Sequence, residues 1–289
     1  LKICSRLHLN TYQSIFNNSL GGWDVSNVSK FNSMFSGNTV FNADISTWFK
    51  TISIPTTVSM SSMFFGCISF TGTWTNTNTS DGSITTTTID SWNTNKVTNM
   101  SAMFRKDGFG SNMIFNISLN NWDVSNVINF SQMFFRNANF NGDISGWILN
   151  TENTKVIDFM DMFFEARKFT GRWTYDNDVT TDIGSWNTSR VNFMKNMFVN
   201  ASVFNANIGR WDVQTVLTGR GIDGHGFLNM FSNSIPMAFN QDLSNWETPL
   251  FKTLLNNGQK TITSLNSEFG LSYLNNDKFF PHWGTYRLT

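Results

Sequence analysis

Apolar and polar positions recur along this chain in a fixed phrase, of which LNNWDVSNVINFSQMF, from Leu119 to Phe134, is one of eight variants. An Ile or Leu stands three positions before each of Trp23, Trp48, Trp92, Trp122, Trp147, Trp186, Trp211 and Trp246. After the Trp comes Asp-Val or a variant, then an Asn- or Thr-containing turn. A Met-Phe pair follows at 34/35, 63/64, 103/104, 133/134, 162/163, 197/198 and 230/231, and the eighth unit lacks it. A second phrase leads to the next Trp: FNADISTW from Phe41, FNGDISGW from Phe140, and weaker versions at Phe204 and Phe239.

The shortest unit is 25 residues, as from Trp122 to Trp147. A period between about 20 and 50 residues is the mark of stacked repeats. A larger repeat overlies it, because Trp23, Trp48 and Trp74 recur 99 residues later as Trp122, Trp147 and Trp173. A three-unit block is duplicated whole.

Within a unit, Leu119, Trp122 and Val124 follow the L-x-x-L-x-L spacing of a leucine-rich repeat. The alternation of Trp122 and Val124 predicts a short strand with both side chains inward. Val127, Phe130, Met133 and Phe134 then follow at helical or 3-10 spacing, which predicts one buried face. No single unit can bury its own Trp, Met and Phe, so neighbours must stack with parallel strands about 4.8 Å apart. The expected fold is a leucine-rich-repeat-like solenoid of about eight coils, with short parallel strands and short helical or 3-10 segments. Its core comprises the eight anchoring tryptophans together with Phe35, Phe64, Phe104, Phe134, Phe163, Phe198 and Phe231. A β-propeller, the main rival, needs blades of about 40 to 45 residues, and 25-residue units cannot supply four strands each.

The repeat occupies residues 23–247, preceded by an N-terminal cap or partial repeat over 1–22 and followed by a C-terminal cap over 248–289. It is interrupted by two insertions, about 65–91 and 164–185. FTGTWTNTNTSDGSITTTTIDSW and FTGRWTYDNDVTTDIGSW alternate Thr with apolar residues around a polar turn, the pattern of a hairpin projecting from the body. Insertions in repeat arrays commonly mark one face, often the binding face. Candidate binding residues are therefore Trp74, Thr75 and Ile84 on the first hairpin, and Arg172, Trp173, Tyr175, Asp176 and Asp178 on the second. Trp74 and Trp173 either stand out on the loop, where an indole can stack on a sugar or anchor a partner, or pack back on the body.

The phrase W-x-V-S-N-V-x-x-M-x-x-M-F followed by F-N-x-D-I-S-x-W resembles the BspA-like leucine-rich-repeat family over roughly residues 14–247. The resemblance implies a modular surface protein of the kind found in bacteria, mycoplasmas, protists and some large DNA viruses, at the cell surface, in the extracellular space or on a virion. It implies adhesion or protein interaction, with a protein or glycan partner and no enzyme activity. The alternative is an architectural component bound to neighbouring subunits of a large assembly, such as a giant-virus capsid or a surface layer.

Charge supports that direction. Twenty basic residues balance twenty acidic ones, and no basic run of the kind that neutralises phosphates is present, so nucleic acid is not an expected partner. No run approaches the ~18 apolar residues of a membrane span. Cys4 and Cys67 lie far apart without CxxC spacing, which suits neither a disulfide framework nor a zinc site.

Candidate chemistry is sparse. Asp44, Asp143 and Asp242 share one place in the phrase, with Asn207 there in the seventh unit. That ladder suits turn capping better than calcium, because one member is an amide. His8, His225 and His282 occupy unrelated positions, and no catalytic, metal or cofactor site is expected. GRGIDGHGFLNM, from Gly219, lacks the Lys-Ser/Thr ending of a phosphate loop and reads as a flexible insert. Asn78, on the first hairpin, is the most accessible of eight N-x-S/T sequons.

Overall fold

The computed structural model describes residues 15–50, 57–108, 110–152, 154–216, 225–234 and 237–246. The expected N-terminal cap falls largely outside them, as do the C-terminal cap, most of the Gly219 segment, Cys4, His8 and His282.

The described strands are β1 (Val58–Ser59), β2 (Thr73–Thr77), β3 (Ile84–Thr88), β4 (Val97–Asn99), β5 (Ile157–Asp158), β6 (Arg172–Thr174), β7 (Thr180–Asp182) and β8 (Val191–Phe193). β1 pairs in parallel with β4, and β5 with β8. Single parallel bridges, Lys30 to Ser59, Asn99 to Asn129 and Asn129 to Asp158, join the remaining units. One parallel ladder thus runs from unit to unit between residues 30 and 193. The chain is a repeat protein whose units stack in register.

The strands lie where Val or Ile follows the Asn turn, not at Trp and the Val after it. Trp122 and Val124 are buried as expected but sit in turns: the Trp122 amide donates to Leu119 (3.1 Å) and the Val127 amide to Val124 (2.9 Å). The 3-10 segments are displaced too, apart from His225–Phe227, which ends three before its Met-Phe pair, where the spacing predicts. Ile89–Ser91, Ile183–Ser185 and Ser244–Trp246 form them at or just before the Trp.

No helix forms over Phe130 to Phe134. The Met133, Phe135 and Asn137 amides close turns onto the carbonyls of Phe130, Gln132 and Phe134, each at 3.0 Å. The intervening amides of Gln132, Phe134 and Arg136 donate instead to Met160 (2.8 Å), Met162 (3.0 Å) and Phe164 (2.6 Å) of the next unit. An α-helix would direct these N–H groups to its own i−4 carbonyls. The turn run satisfies the backbone equally and also stitches neighbouring units together. Two residues of the run, four apart, take positive φ, Gln132 at 60° and Arg136 at 56°, and Gly37 and Gly66 occupy the second of these positions in the first two units. For other residues the left-handed region costs about 1 to 2 kcal/mol. The inter-unit hydrogen bonds and ring stacking offset that cost.

Three aromatic columns fill the interior. Within a unit the Met-Phe phenyl stacks on the next Phe, as in Phe134 on Phe140 and Phe198 on Phe204, both with centroids 3.8 Å apart. Between units Phe64, Phe104, Phe134, Phe163 and Phe198 follow one another at 5.6 to 5.7 Å. Phe115, Phe140, Phe169 and Phe204 do so at 6.0 to 6.1 Å. The third column contains Trp147, Trp186, Trp211 and Trp246, with near-parallel rings. Each indole N–H of Trp122, Trp147, Trp186, Trp211 and Trp246 donates to the carbonyl of an Ile or Leu in the preceding unit. The apolar side chain of the Ile or Leu three before each of the eight anchoring Trp fills the core, while the carbonyl of that position receives the next unit's indole in most units.

Two tryptophans depart from that scheme. Trp23, expected in the core, is 39% exposed, and among the described residues no ring stacks on it. Trp92 is buried but its Nε1 has no partner. Phe49, at φ 62°, stands against the Trp92 ring with centroids 4.8 Å apart.

Candidate functional site

Two hairpins break the stack. β2 pairs antiparallel with β3, from Thr73 opposite Thr88 to Thr77 opposite Ile84. β6 pairs antiparallel with β7, from Arg172 opposite Asp182 to Thr174 opposite Thr180. Both leave the body through a glycine in the left-handed region, Gly72 at φ 71° and Gly171 at 72°. Each returns through the bond of the Ile amide, Ile89 or Ile183, to that glycine's carbonyl (3.0 Å).

The hairpin tryptophans pack inward. Trp74 is only 9% exposed, meets Phe70 edge-on, and donates from Nε1 to the Asn42 carbonyl (2.8 Å). Trp173, half-buried, repeats the arrangement on Phe169 and on the Asn141 carbonyl (2.7 Å). Of the two orientations open to these indoles, the structure therefore selects the one against the body. A buried indole N–H needs an acceptor, and a main-chain carbonyl one unit earlier supplies it.

The other expected site residues stay on the surface. Thr75, Ile84 (69% exposed), Arg172, Tyr175, Asp176 and Asp178 are all exposed. Tyr175 donates its hydroxyl to Asp143 Oδ2, and that carboxylate beneath it pushes the phenol up to about 12. Asp176 and Asp178 bound a 3-10 turn at the tip, with Asp178 at φ 58°. In the first hairpin, Asn76 replaces the tyrosine and reaches Asp44 Oδ2 at 3.5 Å.

Beneath β7 lies a groove of about 510 Å³ whose lining includes Asn120, Ser145, Gly146, Thr181, Asn207 and Arg210. Pockets of about 300 to 1,000 Å³ are the size that takes small ligands. Asn120, Ser145 and Arg210 were not among the expected site residues. They come from three different units, and only the vacancy that the hairpin creates beside them marks them out.

The acidic ladder caps turns. Asp44 Oδ1 accepts from the Ser46 amide (2.8 Å), Asp143 Oδ1 from Ser145 (2.8 Å), and Asn207 Oδ1 from Gly209 (3.3 Å). Asn99 and Asn129 likewise hold the amides of Ser101 and Ser131. Cys67 is fully buried, donates to the Phe35 carbonyl, and has its thiol pushed up by burial. Among the described residues there is no group of three or more His, Cys, Asp or Glu able to hold a metal ion. Likewise, no helix among them is long and apolar enough to cross a membrane.

Three overlapping stretches, residues 6–86, 81–180 and 172–257, each match one family model, described as a Mycoplasma protein of unknown function, DUF285. No curated protein and no solved structure matches the chain.

Proposed function

From the premise that the chain belongs to the Mycoplasma family of unknown function DUF285, we propose that it is a non-enzymatic adhesion or interaction module. Its body is a leucine-rich-repeat-like solenoid of the BspA-like kind, displayed at a cell surface or outside the cell. The contacts with a protein or glycan partner come from the hairpin tips and from the groove beneath β7.

The observation that carries this reading is the division of labour in the hairpins. Their bases are committed to the body through Trp74 and Trp173, whereas Ile84, Tyr175 and Val179 are 69%, 49% and 57% exposed. Residues that packing does not dictate are free to serve recognition. Asn120, Asn207 and Arg210 beside them supply amide and guanidinium donors of the type that orient a polar ligand.

The test replaces both tips, residues 78–83 and 175–179, by short Gly/Asn turns and compares the full chain with the shortened one on arrays of immobilised glycans and purified extracellular proteins. The melting temperature should stay within a few degrees while array binding is lost. Unchanged binding by the shortened protein would place the contacts elsewhere. Sizing the full chain separates the alternative role, because a permanent building block of an assembly associates on its own and an adhesion module remains a monomer.

A further inference from the structure

The charges of this neutral chain are unevenly placed. Lys106, Arg136, Arg167 and Lys168 line one groove of about 530 Å³, with Glu165 the single carboxylate among the described residues of its lining. Three successive units build it. The Lys106 amide donates to the Phe135 carbonyl (2.8 Å) and the Arg136 amide to Phe164 (2.6 Å), which sets Lys106, Arg136 and Glu165 at one position of the turn run. That position is Gly37 and Gly66 in the two preceding units and Asn200 in the following one. The charge is therefore local to this part of the stack.

The repeat is interrupted at the same place. Eleven residues separate Phe104 from Phe115, where six separate Phe134 from Phe140. The extra residues include Gly108 and Gly110, at φ 65° and 117°, with open space where side chains would stand. Gly108 and Gly110 form part of the lining.

The cations are held in place before any ligand arrives. The Arg105 guanidinium lies over the Phe135 ring (4.6 Å to the centroid), and that of Arg136 lies near Phe135 and Phe164 (5.2 and 5.9 Å). Lys106, 7% exposed, anchors its ammonium on the carbonyls of Asp107 and Gly108. Glu165 is shared by Arg136 (3.5 Å) and Arg167 (3.6 Å), both at long separation. Arg136 Nε is buried without a hydrogen bond. Among the described residues, no carboxylate stands within ion-pair distance of Lys168. A guanidinium whose buried Nε meets Glu165 only at 3.5 Å and an ammonium with no carboxylate partner among the described residues, both on one groove, mark a place for an anion.

We propose that this groove binds an acidic saccharide, a sugar carrying carboxylate or sulfate groups. Arg136, Arg167 and Lys168 meet the anionic group through charge-assisted hydrogen bonds, and Asn112 with the two glycines meets ring hydroxyls. An acidic peptide fits less well, because Ala138 is the only apolar side chain among the described residues of the lining. A nucleic acid fits less well, because the described residues of the lining include no aromatic ring on which a base could stack, and Phe135 and Phe164 beside it stack on each other at 4.6 Å. The groove shares no residue with the hairpins, so it stands or falls separately from their role in binding.

The test is isothermal titration of the full chain with a sulfated hexasaccharide, a uronate hexasaccharide of equal length, and an uncharged hexasaccharide. Binding of either acidic chain and not of the neutral one is expected, and the two acids distinguish sulfate from carboxylate. Arg167→Gln with Lys168→Gln should weaken that binding about tenfold or more. Both side chains are exposed, so the melting temperature should be unchanged. Raising salt should weaken the complex. The proposal is overturned if neither acid binds, if the double variant binds as tightly as the parent, or if a poly-aspartate peptide or single-stranded DNA of equal charge binds equally well.

Discussion

The two hairpins, 99 residues apart, share a base and differ at the tip. At the base, Thr71 and Thr170 each donate amide and hydroxyl to the Oδ1 of Asn42 or Asn141, and each tryptophan donates to the carbonyl of the same asparagine. At the tip, the first hairpin extends through five-residue strands of Thr and Asn. The second has three-residue strands closed by an acidic 3-10 turn. The duplicated block thus kept what touches the body and changed what touches solvent. Packing dictates the base, whereas toward the tip the body is reached through Tyr175 on Asp143 and Asn76 on Asp44.

The strongest way to break this comparison is at the base. Trp74→Ala removes a nearly buried indole and its hydrogen bond, and should cost about 3 to 5 kcal/mol in denaturant unfolding. Trp173→Ala should cost less, because that ring is only half-buried. Equal and negligible losses would mean that the bases are not anchored. Next comes Gly171→Ala, whose Cβ would stand 2.6 Å from Phe204 at a positive φ. A loss of about 1 to 3 kcal/mol is expected, against a milder one for Gly72→Ala, where the nearest atom is 2.9 Å away.

Smaller effects separate the tips. Tyr175→Phe should cost about 0.5 to 1.5 kcal/mol for the lost bond to Asp143. Because the folded-state phenol lies at about 12, above the ordinary value near 10, the contribution is full below pH ~10 and vanishes as pH rises through about 12. An ultraviolet titration should lose a tyrosine step near pH 12 in the variant. The first hairpin, with Asn76 in that place, has no counterpart. Smallest of all, grafting residues 175–179 in place of 78–83 should change stability by no more than about 0.5 kcal/mol, read as an unmoved thermal midpoint.

The same contrast accounts for what the sequence made legible. The period, the duplicated block and the identity of the stacking residues were visible because each unit must bury the same Trp, Met and Phe. The positions of strand and turn within the unit were not. Trp122 and Val124 alternate as a strand would, and Phe130, Met133 and Phe134 are spaced as in a helix. A run of turns sending every second N–H to the next unit produces the same inward positions, so side-chain spacing alone does not separate the two. The hairpins were legible from their Thr alternation. The inward course of Trp74 was not, because its acceptor is a main-chain carbonyl 32 residues earlier. The cationic groove escaped notice because Lys106, Arg136 and Lys168 converge only when three units stack. The lengthened interval between Phe104 and Phe115 was its one linear sign.

Native-state hydrogen exchange tests the central claim most directly, that the in-register stack is the fixed part of the molecule and the hairpin tips are the free part. The amides of Phe64, Phe104, Phe134, Phe163 and Phe198, which donate to the following unit, should exchange only through global opening. The amides of Thr79, Ser80 and Asp81 in the first tip should exchange orders of magnitude faster. Equal protection of tip and stack, or rapid exchange at those phenylalanine amides, would contradict the account.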